Sequence, residues 1–241
     1  MKITKESIIG ELVALDYRTA SVFKNNKIDF CCNGNRTIED ACNQKQIEYS
    51  TLLQQLDQIV SWNKESTVDY NSWPLDLLAD YIEKKHHRYV DTKIQEIKPY
   101  LEKVIKVHSG HHPELIEIGK LFEESADELT VHMKKEELML FPHIRKMVQA
   151  EQSGSKVQAP FGTVQNPIKM MMLEHDNEGE RFRKISSLSD NYSPPADACN
   201  TYRVTFALLK EFEDDLHLHI HLENNILFPK AIVLEESLVS V

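Results

Sequence analysis

The sequence predicts an all-α protein, an up-down four-helix bundle preceded by a small helical unit. Three observations carry this. Only 7 glycines occur in 241 residues, and long stretches lack the Gly/Pro punctuation that an all-β chain needs at its turns. Four long segments repeat apolar residues at spacings of three and four, the period of a helix with one buried face. The connections between them run from a few to about 17 residues, which suits antiparallel neighbours in a bundle.

Residues 1–60 form the small unit. Ile8, Ile9, Leu12, Ala20, Val22 and Phe23 suggest one helix, which the loop "NKIDFCCNGN" interrupts. Thr37 with Asp40 three residues on is a capping-box-like start, Asp standing for the usual Glu or Gln, to a short helix through Cys42. A further helix follows near residues 46–60. The stretch "SWNKESTVDYNSW" (61–73) is polar, lacks periodicity and reads as a linker.

The bundle occupies residues 74–241. Pro74 suits a first helical position, and the first helix runs to about residue 106 with a bend expected at Pro99. "HSGHHP" (108–113) is a solvated loop, and the second helix covers about 113–147, with His143 at its surface. Residues 149–165 form an unstructured connection. The third helix spans about 167–189 and the fourth about 197–228.

Net charge is −10 with histidines neutral. That disfavours nonspecific nucleic-acid binding, which depends on neutralising phosphates, and it disfavours an anionic membrane surface. No apolar run is long enough to span a bilayer and no signal-type h-region opens the chain, so a cytoplasmic location is expected. Four cysteines, two of them adjacent, do not make a disulfide framework, and reduced thiols follow.

The stretch "DLHLHIHLENNILFP" (215–229) alternates histidines with apolar residues like a strand. It continues, however, a helical stripe of Tyr202, Phe206, Leu209, Phe212 and Leu216, whose next steps are His219, Glu223 and Ile226. Residues two apart on a helix point about 200° apart, so His217 and His221 lie on the far side. The same arrangement recurs on the second helix. There Ile118, Leu121, Ser125 and Glu128 lead onto His132, Glu136 and Met139. "HMKKEELMLFP" and "HIHLENNILFP" share His at position 1, Glu at 5 and Leu-Phe-Pro at 9 to 11.

On the third helix Ile168, Met171 or Met172, His175, Gly179, Phe182 and Ile185 form the stripe. Gly179 stands where the other copies carry Glu, and it allows either close packing or room for a small molecule. In "EKKHHRYVD" on the first helix, periodicity puts His86 nearer the apolar centre and His87 towards its edge, without deciding between them.

Inward charge without a partner is costly. Neutral imidazoles with two carboxylates, drawn from facing helices, suit a two-metal site. Each carboxylate has two oxygens and can span two cations. Two histidines per metal plus shared carboxylates, with an oxo or hydroxo bridge, leave one open octahedral position on each. Mixed N/O donors without sulfur favour iron or manganese over structural zinc, and open positions on iron bind oxygen, nitric oxide or peroxide. Glu128 and Glu174 are candidates to orient the ligand histidines.

Together these segments resemble the iron–sulfur cluster repair di-iron proteins of the ScdA/YtfE type, with a hemerythrin-like bundle. "IDFCCNGNRTIEDAC" is similar to that family's N-terminal domain, and "HMKKEELMLFP", "LEHDNEGE" and "HIHLENNILFP" are similar to its iron-binding segments. The resemblance implies two iron ions bridged by the glutamates, with ligands His132, Glu136, His175, His219 and Glu223. It places the first-helix ligand thirteen residues after Pro74, at His87. It also implies a cytoplasmic, often dimeric protein that restores clusters damaged by oxidative or nitrosative stress, its clients being damaged or apo iron–sulfur proteins. Oxygen-carrying hemerythrins use five histidines with a Glu and an Asp, a set not reproduced here.

Cys31 and Cys32 sit beside Asn33-Gly34 in a loop, where reachable thiols would serve redox chemistry or iron transfer. Cys42 and Cys199 read as structural. The expected role is iron supply, more in keeping with a non-enzymatic repair protein, and no catalytic residue is identified. The alternatives are a di-iron reductase acting on nitric oxide or peroxide, and an oxygen- or nitric-oxide-binding sensor module.

Overall fold

The computed structural model describes residues 3–61 and 68–239, and these are helical with no strand beyond one isolated antiparallel bridge, Ile8 to Thr37. The small unit holds α1 (Ile9–Leu15), α2 (Thr19–Asn25), α3 (Ile38–Lys45) and α4 (Tyr49–Ser61). The single helix expected over residues 8–23 is two. Asp16 ends the first by accepting the N–H of Arg18 on its side chain at 3.1 Å and the Thr19 N–H on its carbonyl at 3.0 Å. These local bonds compete with the helix ladder. The capping box at Thr37 forms as the spacing implies, with Asp40 as its acid.

Of the expected linker, residues 62–67 lie outside the described residues. Its end is a short 3-10 turn, Tyr70–Ser72, and Tyr70 and Trp73 pack against Tyr81 at ring distances of 5.5 and 5.2 Å. Pro74 caps the first rod rather than opening it.

The first rod comprises α5 (Leu75–Tyr81), a widened π turn (Ile82–His87) and α6 (Arg88–His108), which continues through Pro99. The second comprises α7 (Glu114–Lys135), a π turn (Glu136–Leu140) and α8 (Phe141–Ser153). The third is α9 (Gln165–Leu188). The fourth comprises α10 (Asn200–Leu222), a π turn (Glu223–Leu227) and α11 (Phe228–Val239). Rods two and four therefore run past their expected ends.

The Leu-Phe-Pro of each repeat explains two of the π turns. A proline ring clashes with the carbonyl four residues back in a regular helix. Just before Pro142 and Pro229 the turn opens, and Phe141 and Phe228 bond to the carbonyls of Glu136 and Glu223, five residues back. The third π turn has no proline behind it, and its sequence supplies no comparable reason.

Two apolar clusters stabilise the molecule. One joins the small unit to the half of the bundle around Ile94, Phe122, Phe182 and Phe212. The other gathers Leu78, Ile82, Phe141, Met171, Leu227 and Phe228. Between them lie the buried polar side chains of His86, His87, His132, Glu136, His175, His219 and Glu223. A layer of histidine and glutamate thus separates two hydrophobic cores. No helix among the described residues is long and apolar enough to cross a membrane.

The rod α10 is buried on two sides. Its stripe from Tyr202 to Ile226 faces the bundle as its spacing predicts. On its other side His217 and His221 meet Phe30 at ring distances of 6.0 and 6.1 Å, so the far-side histidines face the small unit.

Candidate metal centre

The widened turns set the geometry. His87 closes the first, while Glu136 and Glu223 open the other two. His132 and His219 lie one turn ahead of these carboxylates, and His175 projects from α9. All six side chains are buried. The Nε2 atoms and carboxylates converge: His87 to Glu136 at 3.4 Å, His132 to Glu136 at 3.3 Å, His175 to Glu223 at 3.2 Å and His219 to Glu223 at 3.2 Å. His132 and His175 bring their Nε2 atoms within 3.1 Å of each other.

These atoms form two overlapping clusters that could hold metal ions. One is His87, Glu136, His219 and Glu223; the other is His132, Glu136, His175 and Glu223. Both carboxylates belong to both clusters. His87 Nε2, both Glu136 carboxylate oxygens and Glu223 Oε2 have no hydrogen-bond partner although buried. An orphaned buried polar atom costs roughly 1–3 kcal/mol, and a cation would satisfy several at once.

Three histidines are held from behind through Nδ1: His87 by Glu137 at 3.1 Å, His132 by Glu174 at 2.8 Å and His175 by Asn224 at 2.8 Å. Such outer bonds fix the ring and leave Nε2 for a cation. Burial opposes charge on His132, but Glu136 and Glu174 outweigh it and lift its pKa to about 10. Its bond to His132 draws Glu174 down to about 2, against the opposing effect of burial. Burial and the facing Glu223 oppose charge on Glu136, yet His132 and His87 hold it below the usual carboxylate range. The site is a buried hollow lined with imidazole nitrogens and two carboxylates, in which a cation would take the place of the His132 proton.

The π turn decides between His86 and His87. One extra residue in the turn shifts the register, so His87 enters the cluster where regular periodicity leaned to His86. His86 instead bonds Asp215 through Nδ1 at 3.1 Å and stacks on His219 at 5.6 Å. The same shift corrects Met139, which is half exposed while Leu140 is buried. Glu128 does not orient His132; it reaches outward to Arg181 at 2.8 Å. Glu174 does orient a histidine, but it is His132 on the neighbouring rod rather than His175 beside it. His143 is buried against Phe161 instead of lying at the surface.

The cysteine loop also differs from expectation. Cys31 is buried, its thiol 3.4 Å from Asp29. The neighbouring Cys32 thiol and burial hold its pKa well above the usual thiol range. Cys32 is half-buried and its thiol donates to the His175 carbonyl at 3.3 Å. Asp29, Cys31 and Cys32 are near enough to share a cation, but the Asp29 carboxylate already accepts from the N–H groups of Cys31 and Cys32, from Asn33 and from Arg183. A Cβ at Gly179 would stand 3.2 Å from the Cys32 sulfur, so the space this glycine leaves is filled by that thiol. Cys199 is exposed, at the cap of α10, with its sulfur 3.2 Å from His108 Nε2.

Sequence reasoning missed Glu137 and Asn224, and the repeat contained the signal. Each directly follows the glutamate shared by the two clusters, at position 6 of its copy. It also missed Glu178, buried one turn beyond His175, which accepts from Ser125 at 2.7 Å and pairs with Arg181.

Fold and donor set define a helical bundle with a buried cation-binding layer. Residues 78–231 match the hemerythrin HHE cation-binding domain, and residues 5–60 match the ScdA N-terminal domain, described as a domain of unknown function. The iron–sulfur cluster repair protein ScdA of Staphylococcus epidermidis is 31% identical over 230 residues, covering 95% of this chain and 99% of its own. The iron–sulfur cluster repair proteins YtfE of Musicola paradisiaca and Yersinia pestis are 33% and 35% identical, covering 95% and 93% of this chain and 97% and 96% of theirs. The chain belongs to the ScdA/YtfE family of iron–sulfur cluster repair proteins.

Proposed function

We propose that the chain carries two iron ions and supplies iron to damaged or apo iron–sulfur proteins under oxidative or nitrosative stress. One observation carries the reading: two clusters of two histidines each share the same pair of carboxylates. Glu136 and Glu223 would each bridge the two ions, with His87 and His219 completing one set and His132 and His175 the other. Nitrogen and oxygen donors without sulfur suit iron, and the names of the relatives supply the client class. Iron here is cargo. A thiolate-rich acceptor would compete with an N/O site for it, and Cys32, half-buried with its thiol on the His175 backbone carbonyl, is the sulfur we place on the way out. Cys31, buried and bonded to Asp29, serves as its support. The filled space at Gly179 favours ion transfer over a berth for a gas molecule.

The test is anaerobic purification, metal analysis with Mössbauer spectroscopy, and incubation with an apo iron–sulfur acceptor. Two coupled irons per chain and a gain of clusters in the acceptor are expected. Iron that stays bound throughout the exchange rules out delivery.

A further inference from the structure

The two copies of the repeat differ at their sixth position. Glu137 and Asn224 do the same task there, each holding the Nδ1 of a histidine on another rod. A carboxylate only accepts, whereas an amide also donates. Asn224 uses that second group: its Nδ2 donates to the Cys31 carbonyl at 3.2 Å. A carbonyl cannot donate, so the amide has one orientation, with Nδ2 towards Cys31 and Oδ1 towards His175. His175 must then carry its proton on Nδ1, leaving the Nε2 lone pair for the cluster. From the other direction the Cys32 thiol donates to the His175 backbone at 3.3 Å. The loop of the small unit therefore grips one histidine of the bundle by ring and by backbone. His87 and His132 are held instead by Glu137 and Glu174, both bundle residues.

We propose that Asn224 is a positioning residue that couples docking of the Cys31-Cys32 loop to cation affinity at the His132–His175 cluster, so that this ion leaves when the loop lifts. The inference rests on the two-ion reading above. Lifting the loop removes the acceptor of Nδ2, frees the amide to turn and releases His175 from its fixed tautomer. The outer partner of a ligand histidine is worth about 10–100-fold in metal affinity. Coupling of two binding equilibria is reciprocal, so an ion in this cluster tightens loop docking by the same factor. The His87–His219 cluster has no bond to the loop and keeps its ion.

The experiment compares the full chain with Asn224→Leu, which removes both bonds at similar volume, and Asn224→Asp, which keeps only the acceptor for His175. Ferrous iron is loaded without air and its loss to a chelator is followed. In N224L one iron is expected to leave about 10–100-fold faster and the other at the parent rate, while N224D, which keeps the acceptor for Nδ1, loses neither faster than the parent. Iron loading should slow alkylation of Cys32 in the parent chain and leave it unchanged in both variants. In the metal-free proteins, ring-nitrogen NMR should show His175 protonated on Nδ1 in the parent and N224D, and a tautomer mixture in N224L. Equal acceleration of both irons in N224L, acceleration of neither, or iron protection of Cys32 that persists in the variants overturns the proposal. A parent chain holding one iron overturns the two-ion reading instead, and the tautomers of the metal-free proteins still judge Asn224.

Discussion

The thiol of Cys32 donates to the backbone carbonyl of His175, 3.3 Å away, tying the small N-terminal unit to the cation-binding layer of the bundle. The contact exists because residue 179 has no side chain. Any Cβ there would lie 3.2 Å from the sulfur and 3.3 Å from the Arg183 guanidinium. Gly179→Val should therefore push the loop off α9 while leaving the rods intact. The expected result is faster alkylation of Cys32, at least several-fold, with unchanged helical circular dichroism. An unchanged rate would show that the contact does not hold the loop.

Removing either shared carboxylate should empty both cation positions together, since each belongs to both clusters. Glu136→Ala and Glu223→Ala are expected to lose magnetic coupling and most bound iron. His217→Ala should keep both ions, because His217 faces Phe30 rather than the layer. Its expected cost is packing alone, on the order of 1–2 kcal/mol at the domain contact. Metal analysis and denaturant unfolding separate the two classes of variant.

Cation affinity should rise with pH. In the ion-free protein His132 has its pKa lifted to about 10 by Glu136 and Glu174, with burial opposing. An incoming cation must displace that proton, so uptake between pH 6 and 9 should release it. For stability the sign is the reverse. A histidine with a raised folded-state pKa contributes most below its unfolded value of about 6.5, and that contribution is lost as pH climbs through about 10. The ion-free protein should thus lose thermal stability across this window while metal binding strengthens. Calorimetry in buffers of different ionisation enthalpy measures the protons directly.

Cys199 should be the most reactive thiol at neutral pH. Backbone N–H groups of the first turn of α10 and the His108 ring draw its pKa down to about 7, whereas Cys31 is held well above the usual value. Alkylation mapped by mass spectrometry should rise through pH 7 at Cys199, and His108→Ala should move that midpoint upward. A midpoint near that of a free thiol in the parent chain would show that neither group acts on it.

The stripes of α9 and α10 were legible almost residue by residue, because a regular helix keeps one continuous face towards the bundle and periodicity reports it. The duplicated His and Glu marked the layer for the same reason. What periodicity could not carry was the π turn, which adds a residue and turns the inward position from His86 to His87 and from Met139 to Leu140. Prolines 142 and 229 announce two of these turns in hindsight, since each needs the preceding turn opened. The loop of Cys31 and Cys32 read as exposed because its composition is that of a loop. Its burial depends on contacts from Gly179 and Asn224, 147 residues from Cys32 and 193 from Cys31, which no local pattern encodes.

The polar layer lies between two oily storeys, one built around Phe122 and Phe212 and the other around Phe141 and Phe228. Either storey can keep the rods together while the middle one is vacated. Loss of any cation held there would then be a local loosening at the waist instead of a collapse, since parts of a protein open separately when their stabilities differ. A scaffold built this way would hold its fold whether the middle layer is filled or empty.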